Sequence, residues 1–187
     1  FKALLQAFER DIESIRSRMH FFFSEHHAAN GDSAKQKEEL DKAIAADPTD
    51  ADVLIALYRF PDATDKEKRK TEQLIRDAMQ HFSREICRQQ DEASPNNQLA
   101  WLVGNTLGEE DPQLAQEAIK YSERSLEIRS NAAGYLDTLG RCHFAAGNLE
   151  QAVKIQKQAV QLEPHSGQIK RQLDLFEKQL AAKKDKS

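Results

Sequence analysis

One stretch, Ala133 to Pro164, limits most tightly what this chain can fold into. Leu136, Leu139 and Gly140 fall on one face of a helix, and Ala152, Ala159 and Pro164 follow Gly140 by twelve, nineteen and twenty-four residues. Two antiparallel helices approach closely only where small residues meet at the crossing, while large ones fill the space between neighbouring pairs. Gly140, Ala152 and Ala159 suit that role, and Gly147-Asn148 and Pro164 to Ser166 punctuate the helices around them.

The same helix, turn, helix alternation runs through the rest of the chain. Its seven glycines and five prolines sit almost entirely between segments of helical period, and no strand-like alternation is evident, so the chain reads as all-α. Leu4, Leu5, Phe8, Ile12, Ile15, Met19, Phe22, Phe23 and His26 make one apolar face over about seven turns, ending at Gly31. Asp32 and Asp50 are placed as N-caps, and Ser94-Pro95 and Asp111-Pro112 each read as an N-cap followed by proline at the first helical position. A long helix is expected from Asp65 to Glu92.

The unit at Ala133–Pro164 resembles the tetratricopeptide repeat, whose signature is a Leu-Gly pair in a first helix, alanines in a second and a closing proline over about 34 residues. Aligning Gly31 with Gly147 sets Ser24 on Gly140, Phe23 on Leu139, His20 on Leu136, Ala43 on Ala159 and Pro48 on Pro164. A further unit sets Leu99 and Ala100 on Leu139 and Gly140, with Ala118 and Ser125 as its later small residues and six extra residues around GNTLGEED. The unit from Ala51 keeps Leu54 and Leu57 but has bulky Tyr58 at the small-residue place.

The resemblance implies a right-handed superhelix of antiparallel helix pairs in one domain. About four repeats are expected, at 17–50, 51–92, 93–132 and 133–166, with an N-terminal extension at 1–16 and a capping helix at 167–182. Under this alignment His20 and His27 take buried-face positions, and the phenylalanines of the opening stretch are core except Phe21, which should face a groove.

The net charge of −4 and pI near 5.9 argue against recruitment of nucleic acid or anionic lipid by an overall basic field. Partners are expected to be protein or peptide. No apolar run reaches the roughly 20 residues of a membrane helix, and a chain that begins at Phe1 reads as a segment of a longer protein. Cys87 and Cys142 fit no metal spacing and read as core-filling thiols.

His20 and His27 are separated by about 10.5 Å of helix rise, too far to share one zinc ion, and His26 and His27 diverge around the helix. No metal or cofactor is expected. Phosphate loops, serine-nucleophile turns and Cys-x-x-Cys are all missing from the sequence, and the acidic pairs Glu38-Glu39 and Glu109-Glu110 read as solvated surface. The C-terminal KKDKS reads as a solubilising tail.

In tetratricopeptide proteins the first helices line a concave groove. Carried over residue by residue, the resemblance nominates Phe21, Glu25, Ile55, Arg59, Asn97, Trp101, Asn105, Asp137 and Arg141. Trp101 flanked by Asn97 and Asn105 is the most informative stripe, an aromatic anchor with amides one turn away on either side; a three-residue slip in register would instead turn Trp101 into the core. Some relatives clamp a peptide's C-terminal carboxylate with lysine, asparagine and arginine. The corresponding places here hold Phe21, Glu25, Ala56, Ser94 and Gln98, so that mode is not implied. A non-enzymatic scaffold that binds a peptide or protein segment is the expected function; a structural or self-association role is the alternative, and a metal-dependent enzyme the remote one.

Overall fold

The computed structural model describes the backbone of residues 2–185 and the side chains of 8–185. Leu4 and Leu5 of the opening stripe and the last two residues of the tail lie outside the described side chains. Among the described residues the fold is all-α: α1 (Lys2–Ala29), α2 (Ser33–Ala46), α3 (Ala51–Tyr58), α4 (Asp65–Arg88), α5 (Ala93–Asn105), a short 3-10 turn (Leu107–Glu109), α6 (Pro112–Ile128), α7 (Ala133–Ala145), α8 (Leu149–Leu162) and α9 (Gly167–Lys184).

Helix ends follow local chemistry. Asp32, Asp50 and Asp111 each accept from backbone amides of the next helix's first turn, which satisfies donors that have no partner inside the helix. Thr64 and Glu67 form a reciprocal capping box before α4: Thr64 donates to the Glu67 carboxylate, and the Glu67 amide donates back to Thr64 Oγ1 at 3.3 Å. At the other ends, α1 and α7 stop in the same motif. Gly31 (φ +72°) and Gly147 (φ +75°) take the left-handed conformation, and the following amides of Asp32 and Asn148 reach back to the carbonyls of His27 and His143. This equivalence is the one on which the Gly31–Gly147 alignment rests.

The chain forms two compact units, one ending at Ala78 and the other beginning at Met79, both positions within α4. In the first unit α1 packs on α2, and the core is Leu40, Ala43, Val53, Leu57 and Phe60, with Phe21, Ile44, Ala56 and Ala63 against it. In the second unit α5 pairs with α6 and α7 with α8, α5 lies beside α7, and α9 covers α8. Leu99, Ala100, Val103, Ala118, Ile119, Leu139 and Cys142 form its central core. Phe176 of α9 is fully buried against Ala152 and Val153, and stacks on Phe144 with ring centroids 4.6 Å apart.

The small residues sit where the repeat spacing expects them: Ser24, Ala43, Ala100, Ala118, Ser125, Gly140, Ala152 and Ala159 are all buried. A Cβ on Gly140 would lie 2.5 Å from Gln156 Oε1 and 3.5 Å from both the Ala152 carbonyl oxygen and the Phe176 ring. Only a hydrogen fits there.

The opening helix departs from expectation. Ser17 and Ser24, two turns apart and both fully buried, mark the face of α1 that packs inward, and Phe21, between them and half-buried, packs against the core rather than facing a groove. Phe8, Ile12, Ile15, Met19, Phe22 and Phe23 are therefore exposed. Leu139, which Phe23 was aligned with, is covered by the preceding pair α5 and α6; no described element gives α1 a comparable cover. His20 and His27 are half-buried rather than buried.

Three smaller expectations are also corrected. Cys142 is buried but Cys87 is exposed, α4 stops at Arg88, and α5 starts at Ala93 behind Glu92, so Ser94 lies inside the first turn and is not its cap.

Candidate functional site

In the second unit, α5 and α7 bring together five of the nominated residues. The two helices approach closely because Gly104 lacks a side chain: a Cβ there would meet Cys142 Sγ at 3.1 Å and its Cα at 3.4 Å. Cys142 Sγ in turn donates to the Ala100 carbonyl at 3.4 Å, and full burial pushes its thiol up to about 12. A thiol so held packs and does not react.

The C-terminal end of α5 uses two of the nominated residues. Its last carbonyls have no next turn to bond. Asn105 Nδ2 donates to Trp101 O at 2.9 Å, Thr106 Oγ1 to Leu102 O at 2.6 Å, Thr106 N to Val103 O at 3.2 Å, and Arg141 Nε to Gly104 O at 2.9 Å. Arg141 also pairs with Glu109 and lies 5.0 Å from the centroid of the Phe144 ring. Asn105 and Arg141 are buried, so their polar groups serve the helix end rather than an open surface.

Asp137, one turn before Arg141, is buried too. Its carboxylate accepts from Gln156 Nε2 of α8 and from Gln172 Nε2 of α9 at 2.9 Å. Gln156 Nε2 also donates to Ile169 O at 3.0 Å, and Gln172 Nε2 to Asp137 O at 3.0 Å, tying α7, α8 and α9 together. Burial outweighs these bonds and raises the Asp137 carboxyl to about 6.

Trp101 and Asn97 are the members of this set that stay half-exposed. The Asn97 Oδ1 atom is buried and meets no hydrogen-bond donor among the described residues.

In the first unit, Phe21 is half-buried against the core and Ile55 is buried, whereas Glu25 and Arg59 are exposed. Two polar contacts here had no assignment from the sequence. His20 Nδ1 lies 2.6 Å from Glu39 Oε2, and Arg18 reaches Asp52 at 2.7 Å and Asp50 at 3.3 Å. Lys42 first and His20 second hold the Glu39 carboxyl below its usual range. Glu39 and Glu109, read as solvated surface, are thus engaged with His20 and Arg141. Among the described residues no group of three or more histidines, cysteines or carboxylates is arranged to hold a metal ion.

Gln156 carried a legible signal: it lies four residues after Ala152 and three before Ala159, a polar group on a buried face. Glu109, in a turn, carried none.

The family description "Tetratricopeptide repeat" matches residues 133–166. Similar solved structures include a thermophilic tetratricopeptide-repeat protein of Thermus thermophilus, at 15% identity over 88% of this chain and 82% of that one with a TM-score of 0.54. Residues 133–166 form a tetratricopeptide repeat, and the chain shares the fold of tetratricopeptide-repeat proteins. A MamA fragment from Desulfovibrio magneticus is also similar in fold, at 13% identity, 89% and 86% coverage and a TM-score of 0.50. No curated protein matches the sequence. No described helix of this chain is long and apolar enough to cross a membrane.

Proposed function

We propose that this chain, which carries a tetratricopeptide repeat at 133–166, is a non-enzymatic scaffold, and that the α5–α7 face of its second unit binds an extended or helical segment of another protein. One observation carries the reading: Trp101 remains partly exposed on α5, while Asn105 of the same helix and Arg141 of α7 are used internally. A large aromatic held on a rigid helix is the kind of group that anchors a partner. Asn97, one turn away on the same helix and partly exposed, lies beside it as a polar flank.

The other nominated residues take different parts in this proposal. Asp137, Arg141 and Asn105 hold the α5–α7 face rigid; the nominees of the first unit are a separate set, with Glu25 and Arg59 exposed, Phe21 half-buried and Ile55 buried. A segment of mixed charge suits this surface better than nucleic acid, since the chain's net charge is −4.

The test is capture of a partner by the whole chain, identification of the bound segment, and titration of that segment against the wild type and Trp101→Ala. Loss of a central aromatic anchor commonly costs about 2 kcal/mol, so binding should weaken roughly thirtyfold. Unchanged affinity in a variant whose circular dichroism matches the wild type would refute the assignment.

A further inference from the structure

Helix α1 has two faces of different kinds. One, with Ser17, Phe21 and Ser24, is packed. The other carries Phe8, Ile12, Ile15, Met19 and Phe22 in a row, exposed to 60, 51, 70, 45 and 64%. Their steps of four, three, four and three residues are those of a two-helix seam, narrower than the stripe of a helix buried in a globular core. Large side chains exposed side by side make an apolar strip on the order of a few hundred Å², at the upper limit of what monomeric proteins leave uncovered. Such a seam fits another helix of the same spacing.

The charges on its two shoulders say which helix. Glu9 and Asp11 are acidic at the N-terminal side; Arg16 and Arg18 are basic one heptad on. When two copies of α1 run antiparallel with Ile12 against Ile15 of the second copy, Phe8 meets Met19. One shoulder then sets Glu9 against Arg16, and the other sets Asp11 against Arg18. Two-fold symmetry repeats each pair, giving four attractive contacts. Parallel pairing brings only Asp11 to Arg16 across the seam. Arg16 pairs within its own helix with Glu13 at 2.8 Å and Arg18 with Asp52 and Asp50, yet both side chains stay partly exposed, at 53 and 41%. The packed face of α1 points away from the seam, so α2 and α3 leave the seam open to a second copy.

We propose that the chain self-associates through α1, the seam Phe8–Ile12–Ile15–Met19–Phe22 pairing antiparallel with the same seam of a second copy.

Sedimentation equilibrium of the full 187-residue chain tests this. The wild type should pass from monomer to dimer as concentration rises. Ile15→Glu, at an exposed position that leaves the fold intact, should weaken dimerisation about a hundredfold or more, because a charge is buried twice in the central layers. Glu9→Arg and Arg16→Glu should each weaken it about tenfold, by turning two attractions into repulsions. Both changes in one chain should restore wild-type dimerisation, which the parallel arrangement forbids because Glu at 16 would face Asp11. A chain that stays monomeric at every concentration, a dimer indifferent to Ile15→Glu, or a double variant as weak as either single one would each overturn the proposal.

Discussion

Arg141 on α7 donates from Nε to the carbonyl oxygen of Gly104 on α5, 2.9 Å away and 37 residues earlier in the chain. The acceptor is one of the carbonyls a helix leaves unmet at its C-terminus, and a cation there also opposes the helix dipole. One residue thereby closes the end of α5 from within α7.

Replacing Arg141 by methionine keeps much of the packing but leaves the Gly104 carbonyl without a donor. Urea denaturation should show a loss of about 1 to 3 kcal/mol. Glu109→Gln should cost less than about 1 kcal/mol, because the Glu109 side chain is 44% exposed and its ion pair is screened by water. Equal costs for the two variants would mean that the ion pair, not the helix end, is what Arg141 serves.

At the α7–α8 crossing, the position of Gly140 has no room for a side chain. Gln156 cannot swing aside cheaply, since its amide is tied to both Asp137 and the Ile169 carbonyl. Gly140→Leu should destabilise the protein by about 1 to 3 kcal/mol through overpacking. An unchanged thermal melting curve would contradict the crossing.

Asp137 sets a pH dependence of definite sign. Its carboxyl is raised to about 6 in the folded chain by burial, above its ordinary value of 3.8. The native state therefore binds more protons than the unfolded state between these values, and this residue's contribution to stability falls as pH rises from about 4 to about 6, then levels off. Asp137→Asn keeps an oxygen to accept from Gln156 and Gln172 without the buried charge. The variant should gain on the wild type as pH rises through that window, measured as a difference in urea midpoints from pH 4 to 8. A difference that does not vary with pH would remove Asp137 as its source.

The Thr64–Glu67 box predicts a milder effect. Thr64→Ala removes the acceptor of the Glu67 amide and one donor to its carboxylate. The loss should be about 1 kcal/mol, seen as earlier fraying at the start of α4 by amide hydrogen exchange. The same variant should release the Glu67 carboxyl from the value of about 2 at which Thr64 now holds it.

Periodicity, caps and the spacing of small residues act over one or two helical turns, and this is why they could be read from the sequence. The all-α class, the turns at Gly31 and Gly147, the caps at Asp32, Asp50 and Asp111, and the crossing of Gly140 with Ala152 all belong to that level. Which face of a helix turns inward is decided by what lies beside it. The apolar stripe of α1 resembles a core face in sequence, but buried Ser17 and Ser24 admit α2 to the opposite side and leave Ile15 and Phe22 exposed. The polar nominees divide for the same reason. Asp137 and Arg141 share a spacing with groove residues, yet Gln156, Gln172 and the Gly104 carbonyl draw them inward from 19, 35 and 37 residues away. A charged side chain goes where its partner is, and partners that distant are brought together only by the tertiary fold.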